Sequence, residues 1–308
     1  AFGVMCSSAV YFLFQLSFAI KNLKYYKLKF YLKHPGFKRL FKLAVPSLLS
    51  SSIVQVNVII SSSFASLFTA GSVAAYNIAD RLWQLPYGIF AQGMGIAMLP
   101  ILSARYAAGE IDDCKSVINK SLKTVLILSI PSAFGFVVLR ERILWTILKF
   151  STLIKESDIT LTGNILMFFS IALITHSIVA IMNRSFYAIN DTKTPLFIGA
   201  STILVNIALS YIFYKTTSLN ESGMALAYSL ASMTNAALLL YRFDRKIKGM
   251  GLSSFLAFLL KVMSASAVMG AVLYILNMMI DVNTGSKLAQ FLILSFEVGT
   301  GAIVYFVL

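Results

Sequence analysis

The chain has 308 residues, of which 58% are hydrophobic and only 12% charged, with a mean hydropathy of +0.81. Soluble domains carry roughly 25% charged residues, so this surface is not built to face water and an aqueous enzyme or binding module is excluded. The net charge of +14 would suggest nucleic acid in a soluble protein. Here the basic residues sit between apolar segments, a pattern that belongs to membrane topology and leaves no nucleic-acid partner expected.

Nine apolar runs of about 20 residues, the length a bilayer core requires, follow one another along the chain. They lie near 1–20, 43–68, 74–104, 120–140, 160–186, 195–214, 222–241, 253–280 and 287–308. Each is predicted to be helical, because an open strand edge in lipid would leave backbone polar groups unsatisfied. The expected fold class is therefore all-α, a polytopic membrane helical bundle. The chain starts at Ala1 without an initiator Met and stops inside an apolar run at Leu308, which reads as a fragment cut at both ends.

Alternate connectors test the topology. The set 21–42, 103–123, 184–193 and 242–261 holds nineteen of the 26 lysines and arginines. Basic residues collect on the cytoplasmic side, so this set is cytoplasmic and the first helix runs inward. The connector 21–42 has eight basic residues and no acid, interleaved with Leu23, Tyr25, Tyr26, Leu28, Phe30, Tyr31 and Leu32. That composition predicts an amphipathic helix on an anionic leaflet, with membrane lipids as partners. The outward connector 141–158 holds Trp145 and Phe150 amid charge and predicts a short interfacial segment.

Catalytic chemistry has little to work with. The motifs GxxxxGK(S/T) and HExxH are absent. The serines Ser47, Ser50 to Ser52 and Ser61 to Ser63 have no accompanying base, and small hydroxyl residues on membrane helices serve close packing. Cys6 and Cys114 form no CxxC, and His34 and His176 have no ligand-spaced neighbours. No catalytic residue, metal or cofactor is expected.

The third run carries the informative segment, Ala79-Asp80-Arg81-Leu82-Trp83-Gln84-Leu85-Pro86-Tyr87-Gly88. Charged side chains inside a span are costly unless they face a wet cavity or a partner, so Asp80 and Arg81 are expected to point inward. Pro86 removes a backbone hydrogen bond and Gly88 permits bending, which predicts a kink. Interrupted helices of this kind line transporter sites, and the donor fork of arginine suits a phosphate. Arg81 is therefore the leading candidate for anion binding, with Asp80 orienting it or its neighbours.

Further polar groups fall inside spans: Gln55, Asn57, Gln92, Asn183, Arg184, Asn206, Asn235 and Glu297, of which Gln55, Asn57, Asn206 and Glu297, with Ser61 and Ser210, are candidates for a polar cavity or for coupling. Interhelical hydrogen bonding accounts for most of them. Glu297 stands apart, an acid midway along the last run with no sequence neighbour to neutralise it, and calls for a basic partner elsewhere. In the connector Asn190-Asp191-Thr192-Lys193-Thr194-Pro195, Asp191 suits capping and Pro195 the first turn of the next helix.

Ala79-Asp80-Arg81-Leu82 with Leu85-Pro86-x-Gly88, then Leu99-Pro100-x-Leu102-Ser103, Phe186-Tyr187-Ala188 and Asp191-Thr192-Lys193-Thr194-Pro195, together resemble the MurJ (MviN) family of the MOP exporter superfamily. The resemblance implies a fourteen-helix transporter of which this chain supplies helices six to fourteen. It would flip lipid II, a peptidoglycan precursor linked to undecaprenyl diphosphate, from the cytoplasmic to the periplasmic leaflet of the bacterial inner membrane by alternating access. It further implies that 1–20 ends the N-terminal lobe, 21–42 is the basic linker, 43–241 is the C-terminal lobe and 253–308 forms a groove for the lipid tail. Arg81 would face the central cavity. Some relatives carry sodium-binding acids where this chain has Ser61 and Ser210, and two hydroxyls do not replace two carboxylates around a cation. Coupling to protons or to the membrane potential stays open. Cell-wall synthesis proteins are further candidate partners. The rival readings are a MOP-type exporter of another lipid-linked oligosaccharide or a drug, and a non-transport scaffold.

Overall fold

A computed structural model describes residues 2–23, 35–69, 71–148, 154–247, 249–250, 252–280 and 287–308. The described residues are helical nearly throughout: α1 Phe2–Leu23, α2 Pro35–Ala65, α3 Ser72–Pro86, α4 Gly93–Ala107, α5 Ile111–Leu148, α6 Glu156–Ala188, α7 Lys193–Thr216, α8 Asn220–Lys246, α9 Leu252–Met279 and α10 Lys287–Val307. A π-helical turn, Tyr87–Gln92, joins α3 to α4.

By length and apolar composition, seven helices among the described residues could cross a membrane, α3 and α4 counting as one of 36 residues. Nine were expected. The other two runs are helical as well, and the described part of α1 offers a shorter apolar helix, Met5–Ile20. Of the amphipathic linker expected at 21–42, residues 24–34 lie outside the described residues, while 21–23 end α1 and 35–42 begin α2. Of the interfacial segment expected at 141–158, the part up to Leu148, with Trp145, continues α5, and Phe150 lies outside the described residues. The charge at Arg142 does not end the helix because it is neutralised from another helix, as described below.

The chain packs as two units, Ala1–Val45 and Pro46–Leu308. In the first, α1 leaves Met5, Val10, Phe12, Phe14 and Phe18 exposed, with the rings of Phe14 and Phe18 edge to face at 5.2 Å.

The second unit is built around α6. Its span is 78% buried, against 56% for α8 and less for every other candidate span, as an all-round apolar helix requires. Toward one end Ile165, Leu166, Phe169 and Leu173 pack with Ala75, Tyr76, Ala79 and Trp83 of α3 and with Met224 and Tyr228 of α8. Toward the other end Ile178, Met182 and Phe186 join Met98 and Leu102 of α4, Ile118 and Leu122 of α5, and Leu239 and Phe243 of α8. Each buried side chain of this size contributes about 1.5–3 kcal/mol relative to exposure.

Pro86 ends α3 in helical geometry with φ −63°. Its missing N–H and its ring, which crowds the carbonyl one turn back, break the regular ladder, and the chain widens into the π turn.

Candidate functional site

Asp80 and Arg81 are neighbours that face opposite ways. Asp80 is buried, where its Oδ1 accepts from Trp83 Nε1 at 3.0 Å and its Oδ2 from Gln84 Nε2 at 2.6 Å. Arg81 is exposed. Successive helical side chains diverge by about 100°, so the burial of Asp80 in this unit leaves Arg81 on an adjacent, open face. Asp80 thus orients Trp83 and Gln84.

Trp83 belongs to an aromatic cluster that the sequence did not reveal. The His176 imidazole lies 5.2 Å from the rings of both Trp83 and Tyr228, and 6.1 Å from Tyr87. Its Nε2 is buried without a hydrogen-bond partner. His176 and Arg184, two turns apart on α6, flank the π turn. Gln92 Nε2 donates to Tyr87 Oη at 2.8 Å, and Arg184 Nη2 donates to Gln92 Oε1 at 3.3 Å. Gly95 is needed here, since a Cβ on it would meet Arg184 Cγ at 3.2 Å. Pro86 and Gly88 thus lie at a break that α6 grips from both sides.

Asn57, Ser61, Asn206 and Ser210 come together between α2 and α7. Asn206 Nδ2 donates to Ser61 Oγ at 3.1 Å and to Asn57 Oδ1 at 3.2 Å, and Ser210 Oγ donates to Asn206 Oδ1 at 3.4 Å. The four side chains are neutral. Gln55 is exposed. Among the described residues, no three of His, Cys, Asp and Glu gather where a metal ion could sit.

An apolar groove of about 470 Å³ runs between α3, the π turn, α5, α9 and α10, with Leu82, Pro86, Ile89, Leu139, Leu273 and Tyr305 among its lining. Beside it lies the basic partner that Glu297 lacked in sequence. Arg142 Nη1 of α5 donates to Glu297 Oε1 of α10, both side chains fully or almost fully buried. Arg142 Nη2 donates to the carbonyls of Asn277 at 3.2 Å and Ile280 at 2.7 Å, at the end of α9.

On the connector between α6 and α7, Asn190 takes a left-handed conformation with φ 58°. Asp191 then accepts from the Thr194 amide at 3.0 Å, the Thr194 hydroxyl at 2.7 Å and Lys246 Nζ at 2.6 Å. Burial raises the carboxyl of Asp191, but these bonds together outweigh it and hold the group below its ordinary value.

The family model described as "Lipid II flippase MurJ" matches residues 1–293. A probable lipid II flippase MurJ of Rhizobium tropici is 33% identical over 246 residues, covering 79% of this chain and 45% of the relative. One of Buchnera aphidicola is 28% identical over 309 residues, covering 99% of this chain and 59% of the relative. The chain spans about half the length of the curated relatives it matches. Among solved structures, lipid II flippase MurJ in an inward closed conformation superposes with a TM-score of 0.72 at 26% identity, covering 94% of this chain and 57% of that one. A MATE family multidrug transporter of the MOP superfamily superposes at 0.57 with 17% identity over 78% of this chain and 54% of that one, a likeness of fold alone.

Proposed function

Since the chain belongs to the MurJ family of lipid II flippases, we propose that it forms the part of such a flippase that holds the diphosphate of lipid II at Arg81 and the lipid tail in the groove of α5, α9 and α10. One observation carries the reading. Arg81 is an exposed guanidinium, and Leu82, the next residue, lines the apolar groove. A single helix therefore offers a charged fork to a phosphate and an apolar wall to a hydrocarbon, which is the division of an amphiphilic cargo. Asp80 contributes by holding Trp83 beneath that surface and Gln84 on it.

The protein works in the bacterial inner membrane, moving its cargo from the cytoplasmic to the periplasmic leaflet as a transporter and not as a catalyst. Residues 43–241 form the lobe that carries Arg81, and 253–308 the wall of the tail groove. The neutral set of Asn57, Ser61, Asn206 and Ser210 supports a mechanism that does not draw on sodium at that place. Cell-wall synthesis proteins are its partners in the membrane.

The test is complementation. The full-length protein with Arg81→Ala, present at normal membrane abundance, fails to support growth of a flippase-depleted strain, and normal growth would remove Arg81 from the mechanism. Purified protein is stabilised against heat by lipid II more than by other undecaprenyl lipids. Equal stabilisation by all of them would favour an exporter of another lipid-linked cargo.

A further inference from the structure

We propose that Arg142 is the positioning residue of the apolar groove: one guanidinium fixes the end of α9 and the middle of α10 on α5, and thereby makes the groove fit a long isoprenoid chain. The inference rests on the tail-groove reading above and deepens it.

Three helices meet on this side chain. Its Nη1 serves the Glu297 carboxylate on α10, and its Nη2 serves the Asn277 and Ile280 carbonyls of α9. The last carbonyls of a helix have no partner within the helix and need donors from outside. A planar fork with donors on both terminal nitrogens can supply a carboxylate and two carbonyls at once, whereas the ammonium of lysine is a single point.

A buried ion pair seldom adds stability over a well-packed apolar pair, and in some proteins what it supplies is register. Here the register matters, because both partners sit one residue from the groove lining, Ile143 after Arg142 and Val298 after Glu297. Turning α10 by one residue would swing Glu297 away from the guanidinium and Val298, Gly301 and Tyr305 away from the groove. Gly301 completes the arrangement, since a Cβ there would meet Leu273 Cδ1 of α9 at 3.1 Å. Arg142 itself is buried and does not line the groove. Its effect on cargo is exerted through the helices it holds.

The experiment compares binding of undecaprenyl diphosphate and farnesyl diphosphate to the full-length protein in nanodiscs. The two probes share a headgroup and differ in tail length. The informative variant is the double substitution Arg142→Met with Glu297→Met, which replaces the pair by apolar side chains. It keeps a melting temperature near that of the wild type, binds undecaprenyl diphosphate about tenfold more weakly or worse, a loss of about 1.4 kcal/mol, and leaves farnesyl diphosphate binding unchanged. Should that variant not fold, Glu297→Gln, which keeps the shape and removes the charge, is read in the same assay against the same outcomes. A folded variant that keeps the wild-type ratio of the two affinities overturns the role of Arg142, and so does an equal loss for both probes. A wild-type protein that binds the two probes equally well would instead overturn the tail-groove reading, and the role of Arg142 with it.

Discussion

The indole of Trp83 donates to the buried carboxylate of Asp80, one turn back on the same helix, at 3.0 Å, so a ring that packs against Phe169 of α6 and Tyr228 of α8 has its N–H satisfied from within α3 while Arg81 is left exposed. A buried N–H stripped of its acceptor costs about 1–3 kcal/mol. Asp80→Ala therefore lowers thermal stability by that order, and Asp80→Asn, which retains an acceptor oxygen, lowers it less. Thermal unfolding of the purified protein followed by tryptophan fluorescence measures both. Equal stability of Asp80→Ala and the wild type would show that the bond does not stabilise the fold.

Asn206 stands at the centre of four neutral polar side chains on α2 and α7. With oxygens but no carboxylate, the set has little hold on a cation. The melting temperature of the wild type is expected to be the same in sodium and in potassium chloride at equal ionic strength. The double variant Ser61→Asp with Ser210→Asp gains a sodium-dependent rise. A clear sodium response in the wild type would contradict this.

Asp191 ties the α6–α7 connector to Lys246 with a carboxyl held below its ordinary value of 3.8. A depressed carboxyl contributes stability that is fully present above the unfolded value and is lost as pH falls through the lower folded one. The penalty of Asp191→Asn is thus constant from neutral pH down to about pH 5, and it vanishes only in strong acid. With Lys246 half exposed, solvent screening limits the pair to about 0.2–1 kcal/mol. Parallel pH titrations of thermal stability for the variant and the wild type measure it, and a penalty that disappears between pH 7 and pH 5 would be the wrong sign.

Gly301 leaves room for Leu273 between α9 and α10. Gly301→Leu inserts a branched side chain where even a Cβ is crowded, and overpacking of this kind costs about 1–3 kcal/mol. The variant is expected to melt lower and to lose long-tail binding. Gly299→Leu, two residues away where an added Cβ meets nothing within 4 Å, retains both. Measuring the two side by side separates groove packing from a general intolerance of leucine on α10.

Much of the architecture follows from one-dimensional signals. Apolar runs of bilayer length give the helices, and Pro86 marks the break after α3. The solitary Glu297 announces that a base must come to it. Which base does so was not legible, because Arg142 is 155 residues away and sits among other charges near the outward end of α5. Which of Asp80 and Arg81 is buried in this unit was not legible for a related reason: composition tells that a charge is costly in a span, but only the helix's rotation decides which of two adjacent charges enters the packing. The His176 cluster escaped because aromatic side chains spread over α3, α6 and α8 have no common spacing. The neutral set was legible as separate polar residues, and their mutual hydrogen bonding needed the packing of α2 on α7.

The π turn interrupts one wall of the apolar groove. Leu82 and Leu85 precede Pro86, while Ile89 and Phe90 line the same groove from within the turn, which Arg184 of α6 holds through Gln92. Before the turn α3 is anchored on α6 as well, with Tyr76 and Trp83 packed against Phe169. A break clamped on both sides bends the helix without serving as a hinge, so the wall it forms keeps a fixed shape.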